Sequence, residues 1–242
     1  MAETLTAGTW KYVLGNNGDA SIVGCADAGE NLVVPEMLDG HPVTSIGARA
    51  FANCATLASV ELHKGILRIG DYAFRNCTSL ASLTHCEGLV YIDDQAFKGC
   101  TSLASMELSQ DLWAIGESAF EGCTSLASVT IPDGLDHIDD NAFRGCTSLS
   151  CVTLPRELEI LPPHVFEGCT SLSSIELPDG LEIICESAFD GCTSLKSIVV
   201  PTSVAQLWKR AFGAPGDMTV VCTAGSYAER WCIEAGLTVS VS

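Results

Sequence analysis

Seven cysteines stand 23 residues apart, at Cys54, Cys77, Cys100, Cys123, Cys146, Cys169 and Cys192. A second column with the same period is acidic: Asp71, Asp94, Glu117, Asp140 and, after Pro163, Glu186. Thiols in a column suggest a redox or metal array, and stacked carboxylates suggest calcium or a basic partner. The spacing speaks against the metal versions, since neither Cys-x-x-Cys pairs nor a calcium-loop pattern occurs. Disulfides between neighbours fit poorly as well. Stacked coils hold like residues about 4.8 Å apart with parallel Cβ vectors, whereas a bridge needs Cβ atoms about 3.8 Å apart. The cysteine column therefore reads as buried free thiols acting as small hydrophobes. Arg75, Lys98 and Arg144 lie four residues beyond members of the acidic column and are expected to neutralise them locally.

The other reactive side chains are scattered. His41, His63, His85, His137 and His164 form no motif, and neither a Gly-rich phosphate loop nor a nucleophile elbow is present. His85 occupies a position held by Leu or Ile in other repeats, with Cys86 and His63 expected nearby. That group reads either as a metal site or as a locally frayed coil. Cys222 and Cys232 form the only pair worth testing for a bridge. No catalytic residue, metal site or cofactor is assigned.

These residues are positioned by a repeat. Phe51, Phe74, Phe97, Phe120, Phe143, Phe166, Phe189 and Phe212 recur every 23 residues, the first seven inside one phrase, as in Ala119-Phe-Glu-Gly-Cys-Thr-Ser-Leu-Ala-Ser-Val-Thr-Ile131. A strict period of this length means stacked coils, each completed by its neighbours. Within one coil, Val129 and Ile131 point inward while Ser128 and Thr130 point out, the alternation of a short strand. Pro132-Asp133-Gly134 supplies a turn, and Leu135 and Ile138 return the chain along the opposite side. Ala142-Phe143 fills the interior, and Gly145 permits a tight turn into Cys146. Eight coils would give a slab on the order of 40 Å long.

Open coils expose core and strand edges, so the ends must be capped. Residues 1–46 read as an N-terminal cap with a hairpin and a first half-coil. Trp10–Leu14 and Ala20–Val23 flank Asn17-Gly18, a strong hairpin signal. Residues 47–212 are seven 23-residue repeats. Residues 213–242 form a C-terminal cap, where Ser226-Tyr-Ala-Glu229 is a capping box, Gly236 ends the helix and Leu237–Val241 is a last strand.

The Ala-Phe-x-Gly-Cys-Thr-Ser-Leu phrase at this spacing, with the Gly225-Ser-Tyr-Ala-Glu-Arg-Trp231 ending, resembles the BspA-like leucine-rich repeats of bacterial surface proteins. The resemblance implies a leucine-rich repeat solenoid, mostly β, with a parallel β-sheet of stacked coils, a β cap before it and a helix-containing cap after it. It further implies adhesion or interaction with host or cell-surface proteins, and a surface or secreted location. No family-wide ligand residues carry over.

Specificity is expected on the outward positions. One strip is Glu61, Thr84, Glu107, Thr130, Thr153 and Glu176, acidic and hydroxyl-rich; Trp113 is a candidate anchor, and the acidic column is a second candidate surface. Trp208 is expected to pack into the C-terminal cap. A net charge of −18 speaks against nucleic acid and anionic membranes as partners. No apolar run approaches the roughly 18 residues of a membrane span. A protein partner and a monomeric chain are expected. The amino terminus has neither the basic nor the apolar region of a signal peptide, and no anchor is visible. With many unpaired thiols, this keeps an intracellular, cytoplasmic interaction scaffold as the alternative.

Overall fold

In a computed structural model, residues 3–214, 216 and 218–241 are described. Met1, Ala2, Pro215, Asp217 and Ser242, which belong to the two expected caps, lie outside the described residues. The chain is a solenoid with two parallel sheets and a third side built from turns.

The first sheet runs along the strand that alternation predicts. Asn31–Val33, Ser59–Glu61 and Ser82–Thr84 pair in parallel at 23- or 28-residue offsets. The ladder then thins to a single bridge between Ser82 and Ser105. It resumes with Ser128–Thr130, Cys151–Thr153 and Ser174–Ile175, and again with Ser197–Val199, Thr219–Cys222 and Thr238–Val241.

The second sheet forms where the sequence suggests only an apolar return. Arg68–Ile69, Tyr91–Ile92, Ala114–Ile115 and His137–Ile138 stack in register, as do Ile160–Leu161, Ile183–Ile184 and Gln206–Leu207. Each is two residues long, too short to show a period of two. The N-terminal hairpin extends this sheet. Trp10–Leu14 pairs antiparallel with Ala20–Cys25, and that strand runs parallel to His41–Ile46, which leads to Arg68–Ile69. Gly18 closes the hairpin turn at φ +88°, a conformation glycine adopts without steric cost.

The third side carries the phenylalanines, all fully buried. Successive rings stack at 5.3–6.4 Å between centroids and within 20° of parallel. Backbone bonds here run forward: the Phe51 amide donates to the Ala73 carbonyl at 2.8 Å, and Phe74 donates to Ala96. Along the second sheet they run back, as from Gly70 to Ile46 and from Asp93 to Ile69.

Each coil holds two left-handed residues. One column is Asn53, Asn76, Gly99, Gly122, Gly145, Gly168 and Gly191, which suits that backbone. The other is Arg49, Tyr72, Gln95, Ser118, Asn141, His164, Ser187 and Arg210, all at φ between 55° and 60°. Most of those residue types give no hint of it.

At the far end, Tyr227–Glu234 forms the helix. Ser226 Oγ accepts the Glu229 amide at 3.1 Å, and Glu229 reaches back to the Gly225 amide. Gly236 follows at φ +74°, and the Leu237 amide bonds the Cys232 carbonyl, closing the helix as a Schellman turn.

Candidate binding surface

Glu61, Thr84, Glu107, Thr130, Thr153 and Glu176 are all exposed on the first sheet. Only parts of that strip are paired: Glu61 opposes Thr84, and Thr130 opposes Thr153. Glu107 and Glu176 lie just outside regular strand. A groove of about 610 Å³ lies between residues 82–87 and 105–111, beside the interruption at Glu107. Ser109 sits where the four following coils carry Pro132, Pro155, Pro178 and Pro201, and its hydroxyl donates to the Glu87 carbonyl at 2.7 Å.

His85 lies on the rim of this groove. It adopts φ +61° and turns out to solvent, 3.8 Å from Glu61 and 4.0 Å from Glu87, while Cys86 is buried. His85 and Cys86 therefore point apart. His63 accepts the Gly65 amide at Nδ1, and its Nε2 is buried without a hydrogen-bond partner. Among the described residues, no three His, Cys, Asp or Glu side chains are grouped to hold a metal.

The acidic column, Asp71, Asp94, Glu117, Asp140 and Glu186, is exposed at the corner that follows the second sheet. Asp94 Oδ1 accepts the Glu117 amide at 2.9 Å, so one member anchors the next coil. The expected local neutralisation is wrong. Lys98 pairs with Glu121 at 2.7 Å, Arg144 pairs with Glu167 at 3.1 Å, and Arg75 lies over the Tyr72 ring. Each of the two ion pairs joins neighbouring coils, because a 23-residue step brings side chains closer than four residues along an irregular turn. Burial pushes the Glu121 carboxyl up, but hydrogen bonds from Lys98 and Ser118 and the charges of Lys98 and Arg144 outweigh it and hold it below its ordinary value. Burial dominates at Asp93, which sits above the usual carboxylate range although Arg68 bonds it at 2.6 Å. Asp139 is raised by burial and by the charge of Asp94.

Trp113 lies on the second sheet, so the structure does not bring it together with the Glu61 strip. It is 43% exposed. Its ring meets Tyr91 edge-on at 5.7 Å and His137 at 5.0 Å, and the Arg68 guanidinium lies 5.2 Å from the Tyr91 centroid. Exposed Leu67 and Ile160 extend the same face. Sequence reasoning missed Tyr91, His137, Leu67 and Ile160. The signal was available in two columns: Tyr91, His137 and Ile160 lie one residue before the buried Ile92, Ile138 and Leu161, and Leu67 shares Trp113's column, two residues before Ile69. Trp208 is 48% exposed rather than packed into the cap, where Tyr227 and Trp231 lie against the core.

The cysteine column is buried from Cys77 to Cys192, and all thirteen cysteines are free. Its thiols also act as donors, since each Sγ reaches a Phe carbonyl 26 residues earlier at 3.0–3.3 Å. Burial pushes Cys77 and Cys192 up to about 12, and Cys123, Cys146 and Cys169 well above their ordinary value.

Six copies of the BspA type leucine rich repeat region match the chain, over residues 44–173 and 91–217. The chain belongs to this family. Leucine-rich repeat proteins are in general binding modules without catalytic activity. The leucine-rich repeat protein of T. pallidum is 34% identical, with a TM-score of 0.73 over 80% of this chain and 91% of that one. One from Bacteroides ovatus ATCC 8483 is 27% identical, with a TM-score of 0.79 over 98% and 67%. One from Eubacterium ventriosum ATCC 27560, 20% identical with a TM-score of 0.58 over 92% and 68%, shares the fold. No curated protein matches the sequence. Among the described residues, no helix is long and apolar enough to cross a membrane.

Proposed function

We propose that the chain is a non-catalytic protein-binding module that acts in adhesion or cell-surface protein interaction through an exposed face of its solenoid. One observation carries this reading. A rigid stack, built around a continuous phenylalanine column, presents two long sheet faces whose outward residues vary from coil to coil. Such faces suit broad protein contact better than the enclosed pocket of an enzyme. The surface location rests on membership of the BspA-type family. We further propose a monomer, because a charge of −18 opposes self-association.

Surface-protease shaving of intact native cells tests the location. Release of peptides spanning Trp113 and Asp140, without cytoplasmic markers, is the expected result. Recovery only after lysis removes the adhesin reading and favours the intracellular scaffold, which thirteen free thiols also support. Binding to a panel of purified extracellular proteins tests the module itself.

A further inference from the structure

Nine large apolar side chains are exposed among the described residues, and three of them, Leu67, Trp113 and Ile160, share the outer face of the second sheet. The first sheet has its exposed valines, Val33, Val199 and Val241, towards its ends, with hydroxyl and carboxylate side chains between Val33 and Val199. The middle of the second sheet is therefore more apolar than the middle of the first. Leu67, Val90 and Trp113 form one row through direct backbone bonds, Val90 to Leu67 at 2.8 Å and Trp113 to Val90 at 2.9 Å. Arg68, Tyr91 and His137 lie in the adjoining row: Tyr91 and His137 meet the Trp113 ring, and Arg68 lies over Tyr91. Four coils carry this strip, a length of about 15 Å at the strand spacing.

The edge of the strip is anionic. Asp71, Asp94, Glu117 and Asp140 follow the strand in four consecutive coils, and among the described residues no Lys or Arg lies within ion-pairing distance of them. Aromatic surface beside a row of carboxylates matches a particular partner: apolar side chains lie on the rings while cationic ones reach the rail. Tyr91 already holds one guanidinium, that of Arg68, at 5.2 Å. A second copy of this chain would bring like charge to the same face.

Building on the protein-binding reading above, we propose that the Leu67–Tyr91–Trp113–His137 strip, with its Asp71–Asp94–Glu117–Asp140 rail, docks a lysine- or arginine-rich segment of a partner protein. Trp113 is the anchor, and the rail selects cationic sequences and speeds their encounter.

Selection of displayed random dodecapeptides against the intact chain tests this, followed by titration calorimetry of the enriched sequences. The expected result is enrichment of Lys or Arg alternating with apolar residues. Affinity should fall about tenfold on Trp113→Ala and severalfold on the Asp94→Asn/Asp140→Asn pair. Binding should weaken with salt and stay unchanged on Ile233→Ser, which removes an exposed apolar residue elsewhere. Circular dichroism of each variant reports folding. Peptides that keep their affinity for Trp113→Ala but lose it on Glu61→Gln/Glu107→Gln would move the site to the first sheet, overturning this inference and leaving the protein-binding reading intact. Enrichment of acidic or uncharged peptides, or self-association that Trp113→Ala abolishes, also overturns it. If no peptide is enriched and no intact extracellular protein binds, the underlying reading falls as well.

Discussion

The Cys123 thiol donates to the Phe97 carbonyl at 3.3 Å, across 26 residues of sequence and one step of the stack. That carbonyl already accepts the Cys100 amide, so its second lone pair is used inside the core. The thiols thus tie each coil to the one before, beyond filling space.

Thiol titration should expose this arrangement. In native protein a disulfide reagent should modify exposed Cys151 quickly, Cys25, Cys54 and Cys185 more slowly, and the buried column hardly at all. Denaturant should release all thirteen. A raised pKa keeps these thiols protonated, so moving from pH 7 to 9 should leave the column unreactive. Rapid native modification of more than these four would contradict the stack.

Phe120→Ala removes a ring that is 1% exposed and stacked at 5.4 Å on Phe97 and 5.3 Å on Phe143. The expected loss is about 3–5 kcal/mol in denaturant unfolding. Hydrogen exchange should rise in the two adjoining coils, because they share the cavity.

Gly122 and Gln95 test the left-handed columns separately. A Cβ on Gly122 would meet nothing closer than 3.9 Å, so Gly122→Ala carries only the conformational cost of φ +73°. Chemical denaturation should show a loss of about 1 kcal/mol. Gln95 holds φ +55°, and Gln95→Gly should leave stability unchanged or raise it by up to about 1 kcal/mol.

The Lys98–Glu121 bond between coils should be visible in the pH dependence of stability. The folded-state pKa of Glu121 is depressed, so its contribution is present above the unfolded value near 4.5 and is lost as pH falls through the folded value. Solvent reaches the pair, which limits the effect to about 0.5–1 kcal/mol. Wild type and Glu121→Gln, unfolded in urea at pH 7 and pH 3, should differ at pH 7 and converge at pH 3.

The repeat was legible because its signals agree. Phenylalanine, cysteine and the alternating strand all step by 23 residues, and Asn17-Gly18 marks the hairpin. What escaped notice depends on contacts between coils. Arg68–Ile69 is a strand only because Ser45–Ile46 and Tyr91–Ile92 lie beside it. Tyr72 and Ser118 adopt positive φ, against their own preference, in turns held to the next coil, where their amides donate to the Asp94 and Asp140 carbonyls. The partner of Lys98 is 23 residues away, so reading along the chain pointed to the wrong acid. Trp113 stood out by type, but its neighbours Tyr91 and His137 show only when the coils are aligned one residue before the buried isoleucines.

Backbone bonds run forward on the phenylalanine side and back along the second sheet, from Phe51 to Ala73 and from Gly70 to Ile46. Every coil is therefore donor and acceptor to both neighbours, and their peptide dipoles oppose one another instead of summing as they do along a helix. A stack built this way has no charged pole. Inserting or deleting 23 residues leaves the chemistry of both ends unchanged, so the solenoid can change its reach in increments of about 4.8 Å while keeping the same caps.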